Sequence, residues 1–351
     1  MMRLSIGVLV VAAGMTFGCG SDANDSPAKG GGGSGGNASG GGASAGSSNG
    51  GNMTSAGMAS GGSAPVDPCQ VDITINSPQS IQENAGVNCA RTLFIVNSTL
   101  TTLEGLEHFT KVDSLVVGWT PRQSFTAVGN PVLQSLKGLE GLTHADFIHV
   151  EANPKLTDLS GLTGMTKNIG KIEIIDNVTL PSLEGLHNLT EAGELTITGN
   201  KLLADLKGLR GLTRAGSLTL WSQPLIKNFA GMDGVTNLGP QSSSISSNDA
   251  LEDFTGLGKL VSIGNSFSVN RNPLLKSFNG LESLELLAWT VDIYENPELS
   301  SITALSHVNE IRSNVTFRNN PKLPTCQVEA LVKAGGQTCT CTGNDDLATC
   351  Q

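Results

Sequence analysis

The feature that most restricts this chain is a tetrapeptide close to Leu-x-Gly-Leu that returns along most of its length. It starts at Leu103, Leu136, Leu159, Leu183 and Leu206, continues at Phe229, Phe254 and Phe278, and ends at Ile302 with Ala in place of Gly. After a first interval of 33 residues, the starts lie 23, 24, 23, 23, 25, 24 and 24 apart. Six residues ahead of each copy stands an asparagine (Asn97, Asn130, Asn153, Asn177, Asn200, Asn248, Asn272, Asn296), with Gln223 in one gap and Asn320 opening a truncated last copy. Such a period marks an array whose units bury their apolar sides only against one another.

Upstream of each Asn the residues alternate, as in Ile172-Glu-Ile174, Leu195-Thr-Ile197, Leu218-Thr-Leu220 and Val291-Asp-Ile293. Alternation gives one inward and one outward face, hence a strand. The Asn, often followed by Pro, turns the chain, and the next Leu and the two Leu of the tetrapeptide point back inward. Each turn then buries about five aliphatics, and stacking at ~4.8 Å makes a column ~45–50 Å long for ten turns. The Asn side chains read as a ladder that satisfies backbone groups at the bend or the next Asn along. The expected fold is mainly β, a right-handed parallel β-solenoid of about ten turns. The long first interval places an insertion of about ten residues near Gly118–Thr126.

These copies resemble the leucine-rich-repeat pattern Leu-x-Leu-x-x-Asn and, more closely, the receptor L-domain family, over roughly Val71 to Leu323. The resemblance implies an extracellular recognition scaffold and carries over no ligand.

The N-terminus reads as an address. Arg3 precedes an apolar stretch from Leu4 to Gly18, too short to span a bilayer, followed by Cys19. It resembles a bacterial lipoprotein signal, which implies cleavage before Cys19 and lipidation of its thiol. Gly20, in place of the Asp that retains many lipoproteins in the inner membrane, implies the outer membrane, with an ordinary secretory signal as the alternative. Residues 20–65 hold 16 glycines in 46 positions and read as a disordered tether. The expected division is therefore 1–19 signal, 20–65 linker and 66–351 repeat domain, with an N-terminal cap at 66–92 and a Cys-rich C-terminal cap at 321–351.

Six further cysteines flank the repeats, and an exported chain can join them. Cys69 with Cys89 is the expected first pair. Cys326, Cys339, Cys341 and Cys350 allow three pairings; Cys326–Cys339 with Cys341–Cys350 is the one favoured, beside a capping helix at Gln327–Lys333. A metal site at Cys339-x-Cys341 is the remote alternative.

The outward positions are where function can sit. Four residues before each Asn or Gln lie Thr126, His149, Glu173, Thr196, Thr219, Ser244, Ser268, Asp292 and Thr316. Two before lie Val128, Glu151, Ile175, Thr198, Trp221, Ser246, Asn270, Tyr294 and Arg318. Trp221 and Tyr294 stand out as anchors, and Trp221, Tyr294, Glu151, Arg318 and His149 form the candidate ligand face. Trp119 and Arg122 in the insertion are a second candidate, since insertions on repeat arrays often mark the binding side.

Catalysis finds little support. Glu151, Glu173 and His149 are the one nearby acid–base set, and the next turn carries only Thr196 and Thr198. A net charge of −10 argues against nucleic acid. No cofactor or metal is expected. The function expected is a lipid-anchored surface scaffold for recognition or adhesion, without catalysis, whose partner is a protein or glycan. The alternatives are a structural envelope protein without a ligand and, further off, a polysaccharide-active enzyme.

Overall fold

The computed structural model describes residues 68–119, 129–167, 169–287 and 289–350. The expected signal with Cys19, the linker, and the loop positions Arg122, Thr126 and Val128 lie outside the described residues.

Strands follow one another along the chain as β1 (Asp72–Ile75), β2 (Cys89–Ile95), β3 (Lys111–Val117), β4 (Phe147–Glu151), β5 (Ile169–Ile175), β6 (Glu191–Thr198), β7 (Arg214–Trp221) and β8 (Asn237–Leu238). They continue as β9 (Ser243–Ser246), β10 (Ser262–Ile263), β11 (Phe267–Asn270), β12 (Leu286–Leu287), β13 (Val291–Tyr294), β14 (Glu310–Ile311), β15 (Val315–Arg318) and β16 (Cys339–Thr342). The long strands pair in parallel in the order β1-β2-β3-β4-β5-β6-β7-β9-β11-β13-β15-β16. The two-residue strands β8, β10, β12 and β14 stack beside them as a second short file. The fold is a parallel β-solenoid of about 11 turns of about 24 residues.

The inward side chains form unbroken rows. In the turn built around Asn177, Ile172, Ile174, Leu180, Leu183, Leu186 and Leu189 are all fully buried. The row ending in Leu189 escapes the sequence reading: a further apolar residue follows the tetrapeptide by three positions in every turn, from Phe109 and Leu142 to Leu284 and Val308. Each buried aliphatic adds roughly 1.5–3 kcal/mol of gross transfer free energy, so the stack rather than any single turn is the stable unit. On successive turns Phe229 stacks on Phe254 with ring centroids 5.2 Å apart, and Phe278 packs against Phe254 at 4.9 Å with its ring tilted by 58°.

Glycine in the tetrapeptide is required by that stacking. A Cβ on Gly138, whose φ is +111°, would lie 2.0 Å from the carbonyl oxygen of Leu103 on the previous turn. In several turns the carboxylate two residues on accepts from the glycine N–H, as Glu140 does for Gly138 and Glu282 for Gly280.

The asparagine ladder is present and buried. Asn153 donates from Nδ2 to Oδ1 of Asn177 at 3.0 Å, and Asn177 donates to the backbone carbonyls of Val150 and Ile175. Three details differ from the sequence reading. Asn97 is exposed at φ +50°, and Ser98 takes the ladder position instead, its N–H donating to Asn130 Oδ1. The first copy has one residue fewer between ladder and tetrapeptide, so a fixed offset of six lands one residue early. Gln223 interrupts the ladder: its N–H reaches Asn248, but its buried Oε1 has no partner among the described residues. At the other end the repeats do not stop at Asn320, because Asn320 donates to Asn344 and β16 adds one more strand in register with β15.

Both ends are stapled. Cys69 is bonded to Cys89 as expected. The favoured C-terminal pairing is wrong: Cys326 is bonded to Cys350 and Cys339 to Cys341. The reason is register. Cys339 and Cys341 lie opposite Val315 and Phe317, two inward positions of the same strand face, so they face each other before any other thiol. Bonded together, their sulfurs are not metal ligands. Cys326 sits on α2 (Thr325–Ala334), the expected capping helix with slightly wider limits, which buries Val328, Leu331 and Val332 against the end of the column. The shorter α1 (Pro78–Glu83) lies between β1 and β2 in the N-terminal cap.

Candidate functional site

The insertion leaves the sheet undisturbed. β3 pairs with β4 through Ser114↔Phe147, Leu115↔Ile148, Val116↔His149 and Val117↔Val150. Val116 occupies the place beside His149 in the outward row. This register sets Trp119, 44% exposed, at the rim of the outward face of β3 and β4.

Beneath Trp119 lies a groove of about 490 Å³. Its floor on β2, β3 and β4 is apolar and hydroxyl-bearing, with Thr92, Phe94, Ser114, Val116 and Phe147. Towards β5 the floor becomes charged. His149 is only 7% exposed, and its ring donates from Nδ1 to Glu173 at 2.7 Å and from Nε2 to Glu151 at 2.9 Å. Lys171 continues the network, 2.9 Å from Glu173 and 3.4 Å from Glu194. Burial alone would lower the His149 pKa, but the hydrogen bonds and charges of Glu151 and Glu173 outweigh it and raise it to about 9. Burial likewise pushes Glu173 up, and the bonds from His149 and Lys171 more than reverse that, leaving it below the usual glutamate range. At neutral pH the site holds an imidazolium between two carboxylates.

Nothing in the fold demands this network. Beyond Glu173 the His149 row continues through Thr196, Thr219, Ser244 and Ser268, where hydroxyls suffice, and carries a carboxylate again only at Asp292. Burying charged groups is costly unless they are paired, and such networks in concave sites are a recurring mark of function.

The five residues expected to form one ligand face do share one face, but they occupy separate places. Glu151 and His149 belong to the groove. Trp221, 44% exposed, stands three strands further on, about 14 Å at ~4.8 Å per strand. Tyr294 lies three strands beyond that, half-buried, with the Arg318 guanidinium 4.5 Å and that of Arg271 5.6 Å from its ring centre. Tyr294 and Arg318 therefore engage each other. Between Trp221 and Tyr294 the row is closed by the hydrogen bond from Ser246 to Asn270.

Sequence reasoning missed Phe147, Lys171 and Glu194. They form a third outward row six residues before the ladder, which appears when the alternation is followed one step further upstream. It also passed over Trp289, the most exposed tryptophan at 59%. A second cavity, about 310 Å³ between the Thr303–His307 turn and α2, has no charged side chain in its lining. Among the described residues, no helix is long and apolar enough to cross a membrane.

The class this architecture defines is a disulfide-capped parallel β-solenoid with a charged groove on its sheet face. Neither protein-family models nor curated protein sequences give a match to the chain.

Proposed function

We propose that this chain is a surface recognition protein: a rigid solenoid, anchored through a lipid on Cys19 and held off the membrane by the glycine-rich segment, that binds its partner in the groove beneath Trp119. The observation that supports this most is the coincidence of two independent irregularities. Trp119, at the start of the long insertion, and the buried ionic network on the sheet face line the same groove. A spacer protein needs neither. The receptor L-domain resemblance agrees with a recognition role, and the exported address agrees with the three disulfides.

The mode of action is shape and hydrogen-bond complementarity on a pre-organised site. His149 fixes the carboxylates of Glu151 and Glu173, so neither loses much rotamer freedom on binding. Mass spectrometry of the mature N-terminus tests the anchor: a diacyl or triacyl mass on Cys19 supports it, and a free N-terminus elsewhere removes it. Binding of the labelled full chain to intact cells tests the groove. Trp119→Ala should lower binding at least tenfold and Trp221→Ala should leave it unchanged; the reverse order moves the site to Trp221, and no binding by the wild type favours a purely structural role.

A further inference from the structure

The groove's chemistry restricts what can occupy it. Among the residues lining it, His149 and Lys171 stand against Glu151 and Glu173, and Glu194, 3.4 Å from Lys171 at the edge, adds one further negative charge, so the groove offers no attraction to a polyanion or an acidic polymer and only a weak one to a basic peptide. Its charged half excludes a purely apolar occupant, because a lipid chain laid there would strip water from ionic groups without replacing it. Its other half presents the aromatic surfaces of Phe94, Phe147 and Trp119, which favour a flat, weakly polar C–H face. Fixed carboxylates beside an ammonium group suit a ligand that both donates and accepts through adjacent hydroxyls, since charge-assisted hydrogen bonds are the strong ones. The volume, about 490 Å³, lies within the roughly 300–1,000 Å³ of small-ligand sites.

We propose that the groove under Trp119 binds a neutral sugar unit of a glycan, its C–H face against Trp119 and Phe147 and its hydroxyls against Glu151, Glu173 and Lys171. This rests on the groove being the recognition site. Bound so, the sugar meets acceptors and donors that are already oriented. Because the sugar is neutral, the affinity depends little on salt.

The test uses the full chain and a panel of neutral oligosaccharides: tetramers of β-linked glucose, α-linked glucose, mannose, galactose and N-acetylglucosamine. Tetragalacturonate and tetralysine serve as charged probes, all measured by calorimetry. The expected result is binding of at least one neutral tetramer, weakened tenfold or more by Trp119→Ala and by Glu151→Gln, unchanged by Trp221→Ala, and nearly constant between about 0.05 and 0.5 M salt. Thermal melts of the variants establish that each still folds. If no neutral tetramer binds, the sugar assignment is overturned. If a charged probe alone binds and Trp119→Ala removes it, the sugar assignment falls while the groove remains the site. Sugar binding that depends on Trp221 and ignores Trp119 and Glu151 overturns the groove itself.

Discussion

The imidazole of His149 donates to the carboxylate of Glu173, one strand over, at 2.7 Å, and its other nitrogen is held by Glu151. This arrangement makes stability depend on pH in a defined direction. The folded-state pKa of about 9 lies above the unfolded value near 6.5, so the contribution is complete below pH ~6.5 and is lost as pH rises through about 9. Urea unfolding should therefore give a free energy lower at pH 9.5 than at pH 6 by of order 2–3 kcal/mol. His149→Gln should flatten that window, and a variant with the wild-type profile would contradict the assignment.

The asparagine ladder predicts two opposite effects. Asn177 accepts from the N–H and Nδ2 of Asn153 and donates to two carbonyls. Asn177→Ala leaves those groups unsatisfied and should cost about 3 kcal/mol or more. Gln223 is one methylene too long, and its Oε1 is stranded. Gln223→Asn should restore the row and stabilise the fold by about 1 kcal/mol. Denaturant midpoints measure both; a neutral Asn177→Ala would mean the ladder is ornamental.

Two glycines, one inside the tetrapeptide and one just after it, should behave differently. Gly138→Ala forces a Cβ to 2.0 Å from the Leu103 carbonyl oxygen at a left-handed φ, and a cost of about 3 kcal/mol or more is expected. A Cβ added to Gly258 would meet nothing within 4 Å, so Gly258→Ala should stay within about 0.5 kcal/mol of wild type. Equal melting temperatures for the two variants would contradict the close approach of successive turns.

The C-terminal disulfides can be mapped without reduction. Cleavage after Lys333 and before Asp345 should release residues 334–344 as a separate peptide, two hydrogens lighter than its dithiol form, because Cys339 is bonded to Cys341. Residues 323–333 should emerge linked to the C-terminal fragment through Cys326 and Cys350. A link between 334–344 and 323–333 would restore the pairing that the sequence alone favours.

The period, the inward rows and most of the ladder are legible in the sequence because each is enforced once per turn by the same physical need. Legibility fails where a copy departs from the period. The shortened first copy hides Ser98 behind Asn97, and the last turn is hidden because α2 intervenes between Asn320 and β16. The groove is half visible. His149, Glu151 and Glu173 can be read as neighbours from the row positions, but Trp119 joins them only through the register of β3 with β4. A count back from Asn130 misplaces that register by the length of the insertion. The charge-neutralising role of Lys171 follows from side-chain distances rather than from spacing.

The claim that recognition occurs beneath Trp119 is tested most directly by the indole N–H resonances of the three tryptophans, each assigned by single substitution, during titration of the full chain with the neutral oligosaccharides. The account predicts that the Trp119 signal moves with saturation while those of Trp221 and Trp289 stay in place. Movement of Trp221 or Trp289 with Trp119 unperturbed would contradict it.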